Sequence, residues 1–136
     1  MRKISEIIIH CSATPEGREV SLDTIRRWHL ARGFSDIGYH YLIHLDGAVE
    51  HGRPVGQPGA HCKGHNAGSI GICYIGGLAP DGKTPQDTRT PQQKGALRGL
   101  VRTLMARHNL TPDAVHGHRE FAPKACPCFD VRAEFK

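Results

Sequence analysis

The apolar residues of this chain fall into short, separated runs whose spacing predicts the secondary structure. Near the amino terminus, EIIIHCSA is a β-branched run typical of a short buried strand, and SIGICYIGG predicts another. Between them, GYHYLIHLDGAVEHGR alternates around Asp46-Gly47, which predicts a hairpin closed by a tight primed turn at that dipeptide. AVHGHRE predicts a last short strand.

Two stretches carry the 3.6-residue period of amphipathic helices. Ser21 is a suitable N-cap for LDTIRRWHLAR, and Gly33 ends that helix. Thr90 opens the second helix, where Pro91 suits the first helical position and Gln93 completes a capping box. The predicted apolar stripes are Leu22, Ile25 and Trp28 in the first helix, and Leu97, Leu100, Val101, Leu104 and Met105 in the second.

The order of these elements is strand, helix, two strands, strand, helix, strand. There are no internal repeats and no linker, and 136 residues suit one domain. The sequence therefore predicts an α/β fold: a single domain over residues 1–136, with a central mixed β-sheet flanked by helices.

Composition narrows the environment and the partners. No apolar run reaches about 18 residues, so we expect no membrane span, and Ile7–Ile9 is too short for the core of a signal peptide. We therefore expect synthesis in the cytoplasm. The net charge of +5 favours anionic partners such as nucleic acid, lipid headgroups or cell-wall polymers. The basic residues are scattered, without a basic stripe interleaved with aromatics, so we expect no nucleic-acid partner.

The cysteine count bears on redox state. Five cysteines, an odd number without a secretory signal, argue against a disulfide framework. Cys11 and Cys73 lie within apolar runs, and we expect both to be buried as small hydrophobic side chains.

The stretch HGHREFAPKACPCFD, residues 116–130, pairs the two side chains that zinc prefers. His116 and His118 are two apart on a predicted strand, so we expect them on one face. Cys126 and Cys128 flank a proline, and His10 ends an apolar strand. Spacing alone does not choose among these five. A catalytic site with three ligands and a closed structural His2Cys2 site both stay open.

Five short motifs together carry a family resemblance. IHCSAT, GYHY, DGAVEHGR, GAHCKGHNAGSIGIC and HREFAPKACPCFD occur in this order and cover nearly the whole chain. In this the chain resembles the zinc-dependent N-acetylmuramoyl-L-alanine amidases of the type-2 amidase and peptidoglycan-recognition family. The resemblance implies that fold, one zinc ion per chain, and hydrolysis of the amide between N-acetylmuramic acid and L-alanine in peptidoglycan.

The resemblance also assigns roles to residues. It implies zinc ligands at His10, His118 and Cys126, and catalytic roles for Tyr39 and Lys124. His116 and Cys128 are then not ligands; the phage enzyme of the family that the chain resembles has serine at the position of Cys128.

The Gly- and Pro-rich segment 52–68 supplies candidates for substrate binding. Its polar side chains suit a glycan or a peptide carboxylate, but they could equally be solvated loop residues. The candidates are His61, Lys63, His65 and Asn66. We expect His40, next to the tyrosine of GYH, to be a core or surface residue.

These observations point to a monomeric phage or prophage endolysin that reaches the wall with help, such as a holin. The rival functions are a non-catalytic peptidoglycan-binding module and a zinc-stabilised nucleic-acid-binding domain. Cys126 speaks against the binding module, because recognition proteins of the family lose this cysteine together with activity.

Overall fold

The computed structural model describes residues 2–136 and is built around a five-stranded mixed sheet. The strands are β1 (Glu6–Cys11), β2 (Thr14–Pro15), β3 (Tyr41–Ile43), β4 (Val49–His51), β5 (Ser69–Tyr74), β6 (Gly77–Leu78) and β7 (Val115–Gly117), and the helices are α1 (Leu22–Ala31), α2 (Pro91–His108) and α3 (Val131–Glu134). The sheet order is β4-β3-β5-β1-β7, with only β4 antiparallel to its neighbour, while β2 and β6 form a separate pair. The predicted fold class is confirmed.

The two faces of the sheet bury different helices. Ile7 and Ile9 of β1 pack in one core cluster with Leu97 and Val101 of α2. On the opposite face, Leu42 of β3 and Cys73 of β5 form the second core cluster with Leu22 and Ile25 of α1. Successive side chains on a strand point to opposite faces, so α1 and α2 sandwich the sheet. Cys11 and Cys73 are buried, as expected.

Helix α1 begins as predicted but buries a different aromatic residue. The Ser21 hydroxyl accepts a hydrogen bond from the Thr24 N–H at 3.1 Å, and Gly33 has a φ of +95° beyond the last turn. Trp28, expected in the apolar stripe, is 46% exposed, and His29 is buried instead. The buried positions follow i, i+3 and i+7 from the first residue of the helix, and this row passes beside Trp28.

Helix α2 confirms its predicted start and core face. Thr90 and Gln93 exchange the two hydrogen bonds of a capping box, at 3.0 and 2.9 Å. Among the predicted stripe residues, Leu97, Val101 and Leu104 are fully buried, and Leu100 and Met105 pack at the edge of the core. Within residues 2–136, no helix has both the length and the apolar character needed to cross a bilayer.

The hairpin of β3 and β4 is present, but its turn differs from the predicted primed turn. The His44 N–H donates to the Ala48 carbonyl, and the Gly47 N–H donates to the His44 carbonyl, both at 2.9 Å. Only Gly47 of the central dipeptide has a positive φ, of +88°, as in a three-residue hairpin loop. His44 at its base lies between the carboxylates of Glu19 and Glu50, at 2.9 and 2.8 Å.

Candidate active site

A cleft opens over the face of the sheet that packs against α1. β1 delivers His10, and β7 leads into the 3₁₀ turn His118–Glu120. The cleft has a volume of about 510 Å³.

Three potential metal ligands meet at the base of this cleft. The ligand atoms of His10, His118 and Cys126 all lie within 4.8 Å of one another. The Cys126 sulfur is 3.9 Å from Nδ1 of His10, and the rings of His10 and His118 have centroids 4.5 Å apart. The ligand set suggested by the family resemblance is therefore a compact cluster in space.

His116 and His118 lie on one side of the sheet, as expected from their spacing, but they have different partners. Strand β7 ends at Gly117, whose N–H donates to the Glu120 carboxylate at 2.6 Å. The 3₁₀ turn that follows directs His118 towards His10, while Nδ1 of His116 bonds the other Glu120 oxygen at 2.9 Å. Of these two histidines, only His118 belongs to the cluster.

The two cysteines also separate. The Cys11 N–H donates to the Cys126 sulfur at 3.2 Å, which holds this sulfur beside His10. Cys128 points elsewhere: its thiol lies 3.3 Å from the Gly77 carbonyl, and burial raises the pKa of this thiol to about 12. Because His116 and Cys128 are not part of the cluster, the described residues form no closed His2Cys2 site.

His61 lies beside His10 in a chain of hydrogen bonds. Nε2 of His10 is 2.9 Å from Nδ1 of His61, and Nε2 of His61 is 3.2 Å from the Ser69 hydroxyl. Burial lowers the pKa of His10 well below its usual value and that of His61 to about 3, so both rings are neutral at pH 7. If Nδ1 of His10 offers its lone pair towards Cys126, then Nε2–H donates to His61. This geometry suits a residue that orients His10.

The other loop candidates have distinct surroundings. The Asn66 side-chain oxygen accepts the N–H groups of His61 and Cys62, both at 2.9 Å, and so fixes the loop. Lys63 is exposed on the cleft wall. His65 does not line the cleft: it stacks on Phe121 at 3.9 Å, and Nδ1 bonds a Glu6 oxygen at 3.0 Å. His65 thus supports Phe121, which does line the cleft.

The proposed catalytic pair, Tyr39 and Lys124, also lines the cleft. The Tyr39 ring centroid is 5.1 Å from that of His10. Burial, together with nearby thiols, raises the pKa of Tyr39 well above normal, so its hydroxyl keeps its proton. Burial and the positive charge of Lys124 lower the pKa of His118. Both side chains can therefore donate hydrogen bonds beside the cluster.

His29 is a cleft residue that the sequence reasoning missed. Nδ1 accepts the Gly38 N–H at 2.8 Å, and its ring makes a T-shaped contact with Tyr39 at 5.2 Å. Burial lowers the pKa of His29, so the ring is neutral and carries its proton on Nε2. The sequence did contain a signal for its burial: His29 lies seven residues after Leu22, on the buried face of α1.

His40 is structural, within the range expected. It is fully buried, accepts the Gly71 N–H on Nδ1 at 3.0 Å and approaches the Gln57 carbonyl through Nε2 at 2.8 Å. Burial lowers its pKa to about 4. The neutral ring ties the sheet to segment 52–68.

The charged side chains that line the cleft are all cationic. Arg32, Lys63 and Lys124 contribute cations to its lining, and no aspartate or glutamate lines it. Such a cleft attracts anionic groups and raises their local concentration.

Sequence comparison relates this chain to known proteins. The family profile described as N-acetylmuramoyl-L-alanine amidase matches residues 1–129. The endolysin of Escherichia phage T7 is 44% identical over 93% of this chain and 82% of its own length, and that of Enterobacteria phage K11 is 42% identical over 96% and 85%.

A solved structure extends the likeness to the fold. The endolysin amidase LysCS from Clostridium intestinale superposes with a TM-score of 0.83 at 29% identity, covering 98% of this chain and 84% of that one. The profile spans nearly all of the chain and the phage relatives exceed 40% identity, so this chain belongs to the N-acetylmuramoyl-L-alanine amidase family.

Proposed function

We propose that this chain hydrolyses the amide between the lactyl group of N-acetylmuramic acid and L-alanine in peptidoglycan, as an endolysin in cell-wall lysis. In this proposal one zinc ion is held by His10, His118 and Cys126. The observation that carries it is the compact cluster of these three residues at the base of a cationic cleft. The family membership and the phage endolysin relatives support the same reaction.

The chemistry of the cluster fits zinc. Two neutral imidazoles and one thiolate are the donors that zinc prefers, and three protein ligands leave a coordination position open, as in catalytic sites. Burial keeps His10 neutral, and the hydrogen bond from the Cys11 N–H holds the Cys126 sulfur in the cluster. A bound zinc ion would supply Lewis-acid polarisation of the amide carbonyl and a nucleophile from water at neutral pH.

The chain's own residues supply the rest of the reaction. The tetrahedral oxyanion formed from the amide needs hydrogen-bond donors, and the Tyr39 and Lys124 side chains line the cleft beside the cluster. The departing L-alanine nitrogen must gain a proton, and both groups carry one that can be donated. Lys63 and Arg32 on the cleft wall suit the carboxylates of the stem peptide.

The test is digestion of purified peptidoglycan by the purified protein, with metal analysis of the same sample. We expect one zinc ion per chain and new free amino groups on L-alanine, without new reducing sugar ends. Zinc removal by a chelator should abolish cleavage, and added zinc should restore it. Cleavage that survives complete zinc removal, or that produces reducing ends, would contradict the proposal.

The route to the wall is a separate part of the proposal. If the protein is made in the cytoplasm, lysis requires a membrane-permeabilising partner such as a holin. Expression in bacteria with and without a holin, followed by culture turbidity, tests this. Equal lysis in both cultures would argue against the need for such a partner.

A further inference from the structure

The exposed face of helix α2 carries positive charge that the amidase site does not use. Its 18 residues include no aspartate or glutamate. They include four of the chain's cations, which account for +4 of the net +5, namely Lys94, Arg98, Arg102 and Arg107. All four are exposed. The helix packs on the sheet face opposite to α1, so this charge lies away from the cleft.

Three of the α2 cations form a row along the helix, beside a strip of two exposed glycines. Lys94, Arg98 and Arg102 follow one another at i, i+4 and i+8, within an arc of roughly 80° at 100° per residue. Next to this row lie Gly95 and Gly99, where an added Cβ would meet nothing within 4 Å. The helix backbone is therefore open to close approach along the row.

Helix stability does not account for this composition. Like charges four residues apart repel, and a cation in the first turn opposes the helix dipole. Glycine is among the poorest residues for a helix interior, and no neighbour packs against either glycine of the strip.

Nearby acids leave the row largely unneutralised. Glu134, at 3.8 Å from Arg98, already accepts two hydrogen bonds at 2.9 Å from Arg89. Within residues 2–136, neither Lys94 nor Arg102 forms an ion pair.

We propose that this row, Lys94–Arg98–Arg102, is a second contact surface for peptidoglycan, which binds stem-peptide carboxylates and retains the enzyme on the wall between cleavages. The choice of the wall polymer rests on the proposed function. A row of exposed cations along a helix suits an extended polyanion better than a small ligand. A membrane partner is disfavoured, because helices that lie on lipid carry large apolar side chains, and the exposed large apolar residues here, Trp28, Leu30 and Val49, lie outside α2.

The test compares two charge-matched triple variants. One is Lys94→Gln, Arg98→Gln and Arg102→Gln; the control is Arg18→Gln, Arg27→Gln and Lys83→Gln, which removes three exposed cations elsewhere. Sedimentation with purified sacculi in the cold at low salt measures binding. Cleavage of a soluble muropeptide measures turnover independently of the row, and circular dichroism checks folding.

We expect the α2 triple to bind sacculi about tenfold more weakly, from three exposed charge contacts. The control triple should bind like the unmodified protein, and all three should cleave the soluble muropeptide equally. High salt, or sacculi whose carboxylates have been amidated, should remove the difference between the triples.

An equal loss of sacculus binding in both triple variants would show an effect of net charge alone and would overturn the proposal. Unchanged binding in both variants would overturn it too. Binding to DNA or to anionic phospholipid vesicles that depends on the row, without such binding to sacculi, would overturn the choice of partner. If the unmodified protein leaves the muropeptide intact yet binds sacculi through the row, the proposed function fails while the contact surface stands.

Discussion

The bond between His10 and His61 offers a sharp test of how the site is organised. His61→Leu removes the ring nitrogen that faces Nε2 of His10 at 2.9 Å. His10 is only 1% exposed, so water cannot readily replace the lost partner. His10 can then rotate or carry its proton on Nδ1, the nitrogen nearest the Cys126 sulfur. Either change weakens zinc binding.

The expected size follows from this geometry. A buried donor left without a partner costs about 1–3 kcal/mol. Loss of a group that orients a metal ligand typically lowers metal affinity about 10–100-fold, which corresponds to about 1.4–2.7 kcal/mol. We therefore expect His61→Leu to bind zinc about 10–100-fold more weakly. His61→Asn places an amide oxygen close to the position of Nδ1 and should recover most of the affinity.

Competition with a chromogenic chelator measures the zinc affinity, and cleavage of a soluble muropeptide at saturating zinc gives kcat and KM. If His61→Leu keeps the normal zinc affinity and raises only KM, His61 is a substrate contact, as the sequence first suggested, and the reasoning from the hydrogen bond is refuted. A melting temperature for each variant guards against a general loss of structure.

Three further predictions concern the cluster, the donors and the hairpin. Cys126→Ser should abolish zinc binding and cleavage, whereas Cys128→Ser should leave both nearly intact; the reverse pattern in metal analysis would invalidate the ligand assignment. Tyr39→Phe and Lys124→Met should each lower kcat by about 10²–10³ with full zinc content and an unchanged melting temperature; unchanged rates would make them ordinary surface residues. Burial opposes the charge of His44, but its two glutamate partners outweigh burial and raise its pKa. Its stabilising effect is present below the unfolded pKa of about 6.5 and is lost as pH rises through the folded value. His44→Gln should therefore lower the free energy of unfolding by up to about 1 kcal/mol near pH 5.5 and hardly at all near pH 9, as measured by urea denaturation; an equal loss at both would exclude the ion pairs as the cause.

The elements with strong local signals were predictable from sequence. The capping box of Thr90 and Gln93 and the apolar run of β1 depend on residues that are neighbours in the chain, so their physics is local. Helix α3 had no such signal. Its four residues are fixed by burial of Val131 and by the bonds of the Asp130 cap, and this burial exists only once the sheet is formed.

The sequence by itself determined which kinds of side chain could form the site. It placed His10 at the end of a buried strand, and the order of the motifs indicated the family and, through it, the candidate ligands and donors. These inferences hold because an apolar run and the order of motifs can be recognised from the linear sequence, without knowledge of contacts between distant residues.

Only the tertiary structure separated the equivalent-looking candidates. His116 and His118 differ because only His118 meets the His10 ring, and Cys126 and Cys128 differ because one sulfur meets the Cys11 N–H and the other meets the Gly77 carbonyl. His61 bonds His10 across 51 positions of sequence. Spacing along the chain carries no information about such contacts, since they are fixed by how strands far apart in sequence pair and by where each backbone turns.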